Sequence, residues 1–218
     1  PARSEMCIRD RPGLQSELTP QPDCGETSYE GHNRLLDYKM LVTGGDSTIG
    51  RAAAIAYAKE GADVAINYLP SEEQDAQEVK AVIEKAGRKA VLIPGDIRDE
   101  QFNYDLVEQA YKELGGLDNV TLVAGHQQYH DKLEEFDTQS FKETFETNVY
   151  PVFWTIQKAL DYLQPGASIT TTSSVQGYNP NPLIHDYAAS KAAIISLTKS
   201  FSEQLGEQGI RVNCVAPG

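Results

Sequence analysis

The chain is short of cysteine, of positive charge and of long apolar runs. Its three cysteines, Cys7, Cys24 and Cys214, are odd in number and far apart. That spacing excludes a disulfide framework or a cysteine-built zinc site and points to a reducing, cytoplasmic setting. Nineteen Lys and Arg stand against 32 Asp and Glu, a formal net charge of -13, which repels nucleic acid and anionic membrane surfaces. The longest apolar stretches are strand-sized, well short of the roughly 20 residues a membrane span needs. His126 and His130 stand four apart, but no Cys, Asp or Glu completes a convincing ligand set with them, so no metal site is expected. Nucleic acid, membrane and metal thus drop out as expected partners.

At 218 residues the chain is long enough to bury a full core yet within the range of one α/β domain. Residues 1–37 carry scattered Pro and Gly without sustained periodicity and are read as an extended arm. The first dozen, PARSEMCIRDRP, look non-native. From Tyr38 onward, β-branched or apolar runs alternate with helical stretches, the pattern of βαβ units. Strands are expected over 38–43, 63–67, 90–93, 119–123, 167–172 and 210–215. Helices are expected over 49–60, 71–86, 99–114, 138–163 and 187–208, where apolar residues recur at three- and four-residue spacing. Pro151 should kink the fourth helix near Asn148, because its ring nitrogen cannot donate. Right-handed crossovers then make residues 38–218 one Rossmann-type, doubly wound α/β domain with a six-stranded parallel sheet.

Between the first strand and the first helix lies Thr43-Gly-Gly-Asp-Ser-Thr-Ile-Gly50. A dinucleotide turn needs glycine where the backbone bends sharply and where it approaches a pyrophosphate. The helix that follows offers free N–H groups to that anion. Gly44 and Gly50 fit those roles, and Asp46, Ser47, Thr48 and Ile49 form the rest of the binding turn. After the second strand, Asn67 and Tyr68 stand where an acid would favour NAD and a cation NADP. Neither charge is present in Asn67-Tyr68-Leu69, which slightly favours NADP, while Glu72 and Glu73 argue for NAD.

Further along, Tyr187 and Lys191 open the last long helix, and spacing of four places them on one face, a turn apart. A protonated amine beside a phenol stabilises the phenolate and brings its pKa, ordinarily about 10, toward neutrality. Tyr187 is therefore the candidate acid/base. Ser174 ends the fifth strand thirteen residues earlier, where a hydroxyl can hydrogen-bond a substrate carbonyl and stabilise a developing alkoxide. Strand alternation should point only one of Ser173 and Ser174 toward the site.

The glycine turn, the strand-ending serine pair, the thirteen-residue gap and YxxxK together resemble the short-chain dehydrogenase/reductase family over residues 38–218. The arm segment TPQPDCGETSYEG is similar to a bacterial subgroup of general-stress and aldehyde-reductase-like enzymes. The resemblance implies that Asn148, in TNVY, completes a catalytic tetrad through a proton relay. It implies that Asp96, in GDIRD, contacts the adenine side of the cofactor with Ile97, although Asp96 could equally cap the helix near Asp99. Ala124 and Gly125 stand in LVAG where many members read NNAG. Pro217 and Gly218 would open a segment beside the nicotinamide. A substrate loop and a seventh strand would follow, so a C-terminally truncated catalytic domain is expected. The family pattern TGxxxGxG has glycine where Thr48 stands; its side chain would either crowd the diphosphate or donate a hydrogen bond to it. The implied activity is NAD(P)-dependent interconversion of an aldehyde or ketone with an alcohol, by a homodimer or homotetramer. The alternative is a dinucleotide-binding or scaffold protein of the same fold without turnover, motivated by Thr48 and the missing segment.

Overall fold

In the computed structural model, which describes residues 14–218, the sheet is wholly parallel and runs in the order β3-β2-β1-β4-β5-β6. Its strands are β1 (Lys39–Thr43), β2 (Asp63–Tyr68), β3 (Ala90–Pro94), β4 (Asn119–Leu122), β5 (Ser168–Thr172) and β6 (Arg211–Val215). Each lies within two residues at either end of the stretch expected from β-branched content. Along β1 the side chains alternate between two cores, Leu41 joining one and Met40 and Val42 the other, as a period of two on a sheet covered on both faces requires. Helices α1 (Thr48–Lys59) and α2 (Glu73–Lys85) cover the Met40 face with Ile55, Val79 and Ile83. Helices α3 (Glu100–Leu114), α5 (Tyr150–Ala159) and α6 (His185–Gly206) cover the other with Leu106, Ile156 and Ile194.

The sheet reverses winding direction at β1, which pairs β2 on one side and β4 on the other. Chains leaving β1 and β4 at their carboxyl ends therefore diverge, and a crevice opens between them, the place where open α/β sheets take ligands. Thr43 Oγ1 accepts from the amides of Val123 at 3.1 Å and Ala124 at 3.4 Å, tying the two strand ends together at its floor.

Two expectations need correction. The continuous helix over 138–163 is two helices, α4 (Thr138–Asn148) and α5, separated at Val149. Pro151 has no N–H to offer Thr147, so the ladder breaks outright there instead of bending. Capping at Asp96 also fails: Asp99 caps α3 by accepting from the Phe102 amide at 2.9 Å. Asp96 instead accepts from the Arg98 amide at 3.0 Å and its Nε at 2.8 Å.

The described part of the arm, residues 14–37, has no regular element beyond a single turn at Gln15–Glu17, yet it is stapled to the body. Lys59 Nζ donates to the carbonyls of Gly25, Glu26 and Tyr29, each at 2.8 Å. Glu60 accepts from the amides of His32 and Arg34 at 2.9 and 3.0 Å. Charge-assisted bonds of this kind are stronger than neutral ones, which explains how a segment without periodicity holds a fixed path. The expectation of a non-native start over residues 1–12 lies outside the described residues.

Candidate active site

The turn after β1 is built by its glycines. Gly44 has φ +63, and a Cβ there would meet the Ala124 backbone at 3.0 Å; at Gly50 a Cβ would stand 1.9 Å from the Gly44 carbonyl oxygen. No side chain fits in that second gap, so helix α1 starts against bare backbone. Gly50→Ala is accordingly expected to lower stability by about 1–3 kcal/mol, seen as a fall in thermal midpoint. An unchanged midpoint would mean that the turn has slack. Thr48 has φ +45, a left-handed conformation that is costly for a β-branched residue. Ser47, the residue before α1, is extended, and its carbonyl accepts from the Arg51 amide at 3.0 Å.

At the other end of the crevice, Lys191 is buried at 3% exposure. Its Nζ donates to the Thr172 carbonyl at 2.8 Å and lies 5.3 Å from the centre of the Tyr187 ring. Burial pushes its pKa down to about 8, so it remains mainly a cation at neutral pH beside the phenol. The two serines differ in employment. Ser173 Oγ is buried and donates to the Lys191 carbonyl at 2.7 Å, which leaves it a fastener of α6. Ser174 Oγ lies at the cavity wall, accepts from the Gln176 amide at 3.2 Å and reaches the Pro217 carbonyl at 3.4 Å. Asn148, 1% exposed, pins the strand-to-loop backbone: Oδ1 accepts from the His126 amide at 2.6 Å, while Nδ2 donates to the His126 carbonyl at 2.8 Å and to Ser190 Oγ at 2.9 Å. Ser190 Oγ in turn donates to the Tyr187 carbonyl at 2.7 Å, linking Asn148 to the helix that carries the phenol.

One cavity of about 730 Å³ joins these ends. Its wall includes Gly44, Asp46, Ser47, Thr48, Ile49, Asn67, Tyr68, Asp96, Ile97, Ala124, Gly125, Ser174, Tyr187, Lys191, Pro217 and Gly218. Of the sequence-selected residues, Gly50 and Asn148 stand behind the wall. Asn67 contributes to it while spending its amide on the carbonyls of Ile93 at 3.2 Å and Gly95 at 3.1 Å, which ties β2 to β3. Of the two acids after β2, Glu72 accepts from the Leu69 amide at 3.0 Å and Glu73 from the Tyr68 hydroxyl at 2.6 Å. The wall also takes residues that sequence reasoning missed: Leu18 of the arm, Thr147, and Gln176, Asn181 and Ile184 between Ser174 and Tyr187. The thirteen-residue gap was the signal for the last three; nothing local marked Leu18. Among the described residues no group of three or more His, Cys, Asp or Glu could hold a metal ion, and no helix is long and apolar enough to cross a membrane.

The cavity suits a dinucleotide. At the start of α1 the glycines let backbone lie close to a ligand, at the helix end where a diphosphate is best held. Asp46 is 1% exposed on the wall, and its Oδ2 has no hydrogen-bond partner among the described residues. Burial pushes its carboxyl pKa up. An isolated buried acceptor is costly unless a donor reaches it, and a ligand hydroxyl would supply one.

Residues 39–218 match the family model described as short chain dehydrogenase. The uncharacterized oxidoreductase YhxD of Bacillus subtilis is 60% identical over 96% of this chain and 70% of its own length. General stress protein 39 of the same organism is 44% identical over 95% of this chain and 72% of itself. An NADPH-dependent aldehyde reductase 1, chloroplastic, from Arabidopsis thaliana is 35% identical over 95% and 74%. Among solved structures, a short chain dehydrogenase from Burkholderia cenocepacia in complex with NADP superposes with a TM-score of 0.80 at 38% identity, covering 85% of this chain and 75% of that one. Carveol dehydrogenase from Mycobacterium avium in complex with NAD gives 0.79 at 27%, covering 84% and 71%. With residues 39–218 matched by the family model and its fold superposing on solved members, the chain belongs to the short-chain dehydrogenase/reductase family.

Proposed function

We propose that the protein interconverts an aldehyde or ketone and an alcohol with a nicotinamide dinucleotide, Tyr187 acting as acid/base. The observation that carries this reading is the single cavity running from the glycine turn to the Tyr187–Lys191 pair. Gly44, Ser47, Thr48 and Ile49 would hold the diphosphate, Asp46, Asn67, Tyr68, Asp96 and Ile97 the adenosine end, and Ala124, Gly125, Pro217 and Gly218 the nicotinamide end. When bound, the dinucleotide supplies or removes hydride at the substrate carbon.

The chain's own residues supply the rest. Ser174 Oγ donates to the substrate carbonyl oxygen and stabilises the charge that develops on it. Tyr187 gives its phenolic proton to that oxygen in reduction and takes it back in oxidation. Lys191, a buried cation next to the ring, favours the phenolate left behind. Asn148 holds the His126 backbone beside Lys191, which fixes the wall facing the phenol.

NADP is slightly favoured over NAD as the cofactor. Glu72 and Glu73 accept hydrogen bonds from the Leu69 amide and the Tyr68 hydroxyl, and an NADPH-dependent reductase is among the relatives, while solved neighbours hold NADP and NAD alike. The discriminating experiment titrates the chain with NADPH and NADH, follows nicotinamide fluorescence, and then assays oxidation of the tighter binder with a panel of small aldehydes. Binding of neither cofactor would overturn the reading; binding without turnover would favour the scaffold alternative, for which Thr48 is the motive. Thr48→Gly is expected to tighten dinucleotide binding by about 1–2 kcal/mol, roughly tenfold, by removing a branched side chain that crowds the diphosphate. Equal or weaker binding in calorimetry would show that threonine is accommodated.

A further inference from the structure

The N-terminal arm reaches the glycine turn. Gln15 is 3% exposed although it stands in a segment with no sheet strand or α-helix. Its backbone amide donates to Asp75 Oδ2, in the first turn of α2, at 2.6 Å. Its side-chain oxygen Oε1 accepts from the amide of Thr48 at 2.9 Å, across 33 residues of sequence. Three residues later, Leu18 lines the cavity itself. Glu26, further along the arm, accepts from Arg51 Nε of α1 at 2.8 Å. The arm thus crosses the outside of the turn and is anchored on both helices that flank it.

The residue it grips is the one in the turn whose conformation needs help. Thr48 is held at φ +45, and such a β-branched residue persists only where its surroundings fix it. A hydrogen bond from its own amide to a buried carboxamide is a direct means of doing so. Gln15 also lies outside the segment matched by the family model, residues 39–218, so this contact is an addition to the shared domain.

We propose that Gln15 is a positioning residue for the dinucleotide: it fixes Thr48 in its left-handed conformation and so presets the neighbouring Ile49 on the cavity wall for the diphosphate. The arm is then part of the cofactor site, and the threonine departure and the arm are two halves of one device. This inference rests on the dinucleotide reading above.

The test is a double-mutant cycle on the full chain, with Gln15→Leu, Thr48→Gly and the pair. Gln15→Leu keeps the side-chain volume and the backbone bond to Asp75. Binding of NADPH and NADH is read by nicotinamide fluorescence, and Thr48 amide exchange is read by NMR without ligand. Gln15→Leu is expected to weaken binding of the preferred dinucleotide about tenfold and to speed Thr48 exchange by a similar factor, while in the Thr48→Gly background its effect on binding falls to about twofold or less. Circular dichroism checks that the fold survives. If Gln15→Leu does not fold, Gln15→Asn, which is one methylene too short to reach Thr48, takes its place with the same expectations. Wild-type binding that Gln15→Leu leaves unchanged, or an equal loss in both backgrounds, overturns the positioning role while leaving the dinucleotide reading intact. A wild-type chain that binds neither dinucleotide overturns that reading and takes this inference with it.

Discussion

Tyr187→Phe is expected to lower the rate of carbonyl reduction by about 10³-fold or more, the scale of a lost general acid, while dinucleotide affinity stays within a few-fold. The reasoning is local. Phenylalanine keeps the ring, which Lys191 Nζ faces at 5.3 Å, and removes the phenolic proton that the proposed reaction uses. An interaction made only as the oxygen gains charge shows up in kcat and in kcat/KM alike. Single-turnover measurements with saturating NADPH separate the chemical step from product release. A variant that keeps near wild-type turnover would remove Tyr187 from the acid/base role. One that loses cofactor binding in parallel would mean that the phenol holds the dinucleotide and that its chemical role cannot be read from turnover alone.

The fold was legible because its signals are local and repeated. Each strand is a short β-branched run between turn residues, and the period of two along Met40, Leu41 and Val42 survives in the structure as two separate cores. Boundaries moved where a backbone rule outweighed apolar periodicity. The 138–163 pattern continues through Pro151 as far as side chains are concerned, and the helix nevertheless ends at Asn148. The candidate site was legible in its motifs and opaque in its long-range contacts. Glycine at 44 and 50, serine at 174 and the 187–191 pair announce themselves by spacing. The division of labour between Ser173 and Ser174 depends on which hydroxyl meets the Lys191 carbonyl, a contact across 18 residues. Gln15 carries no signal at all in sequence, because a lone glutamine in a Pro-containing arm is unremarkable until the fold brings Thr48 to it.

Lys191→Met separates what the site requires from what the fold requires. In the proposed chemistry the amine supports the phenolate, and the family resemblance implies that it also touches the cofactor ribose, so the substitution is expected to lower kcat and weaken dinucleotide binding together; unchanged affinity would remove the ribose contact. Its effect on stability has a pH signature of its own. Burial lowers the folded-state pKa from its ordinary value of 10.5 to about 8, so between those values the unfolded chain holds a proton that the folded one has released. Stability therefore rises with pH across that window, and the cost of burying the ammonium is fully present below pH 8. Methionine carries no such term. Relative to the variant, the wild-type chain is expected to gain about 2 kcal/mol between pH 7 and pH 9.5, from roughly 1.4 kcal/mol per pKa unit traversed. At neutral pH the variant gains from losing a buried charge and loses the hydrogen bond to the Thr172 carbonyl, about 1–3 kcal/mol if that acceptor is left dry. The absolute order at pH 7 thus depends on two opposed terms, whereas the slope depends on one. Urea titrations of both chains without ligand at several pH values give the difference directly. A difference that stays flat from pH 7 to 9.5, or that moves in favour of methionine, would show that the fold does not depress the Lys191 pKa, removing the burial penalty while leaving the amine a cation beside Tyr187.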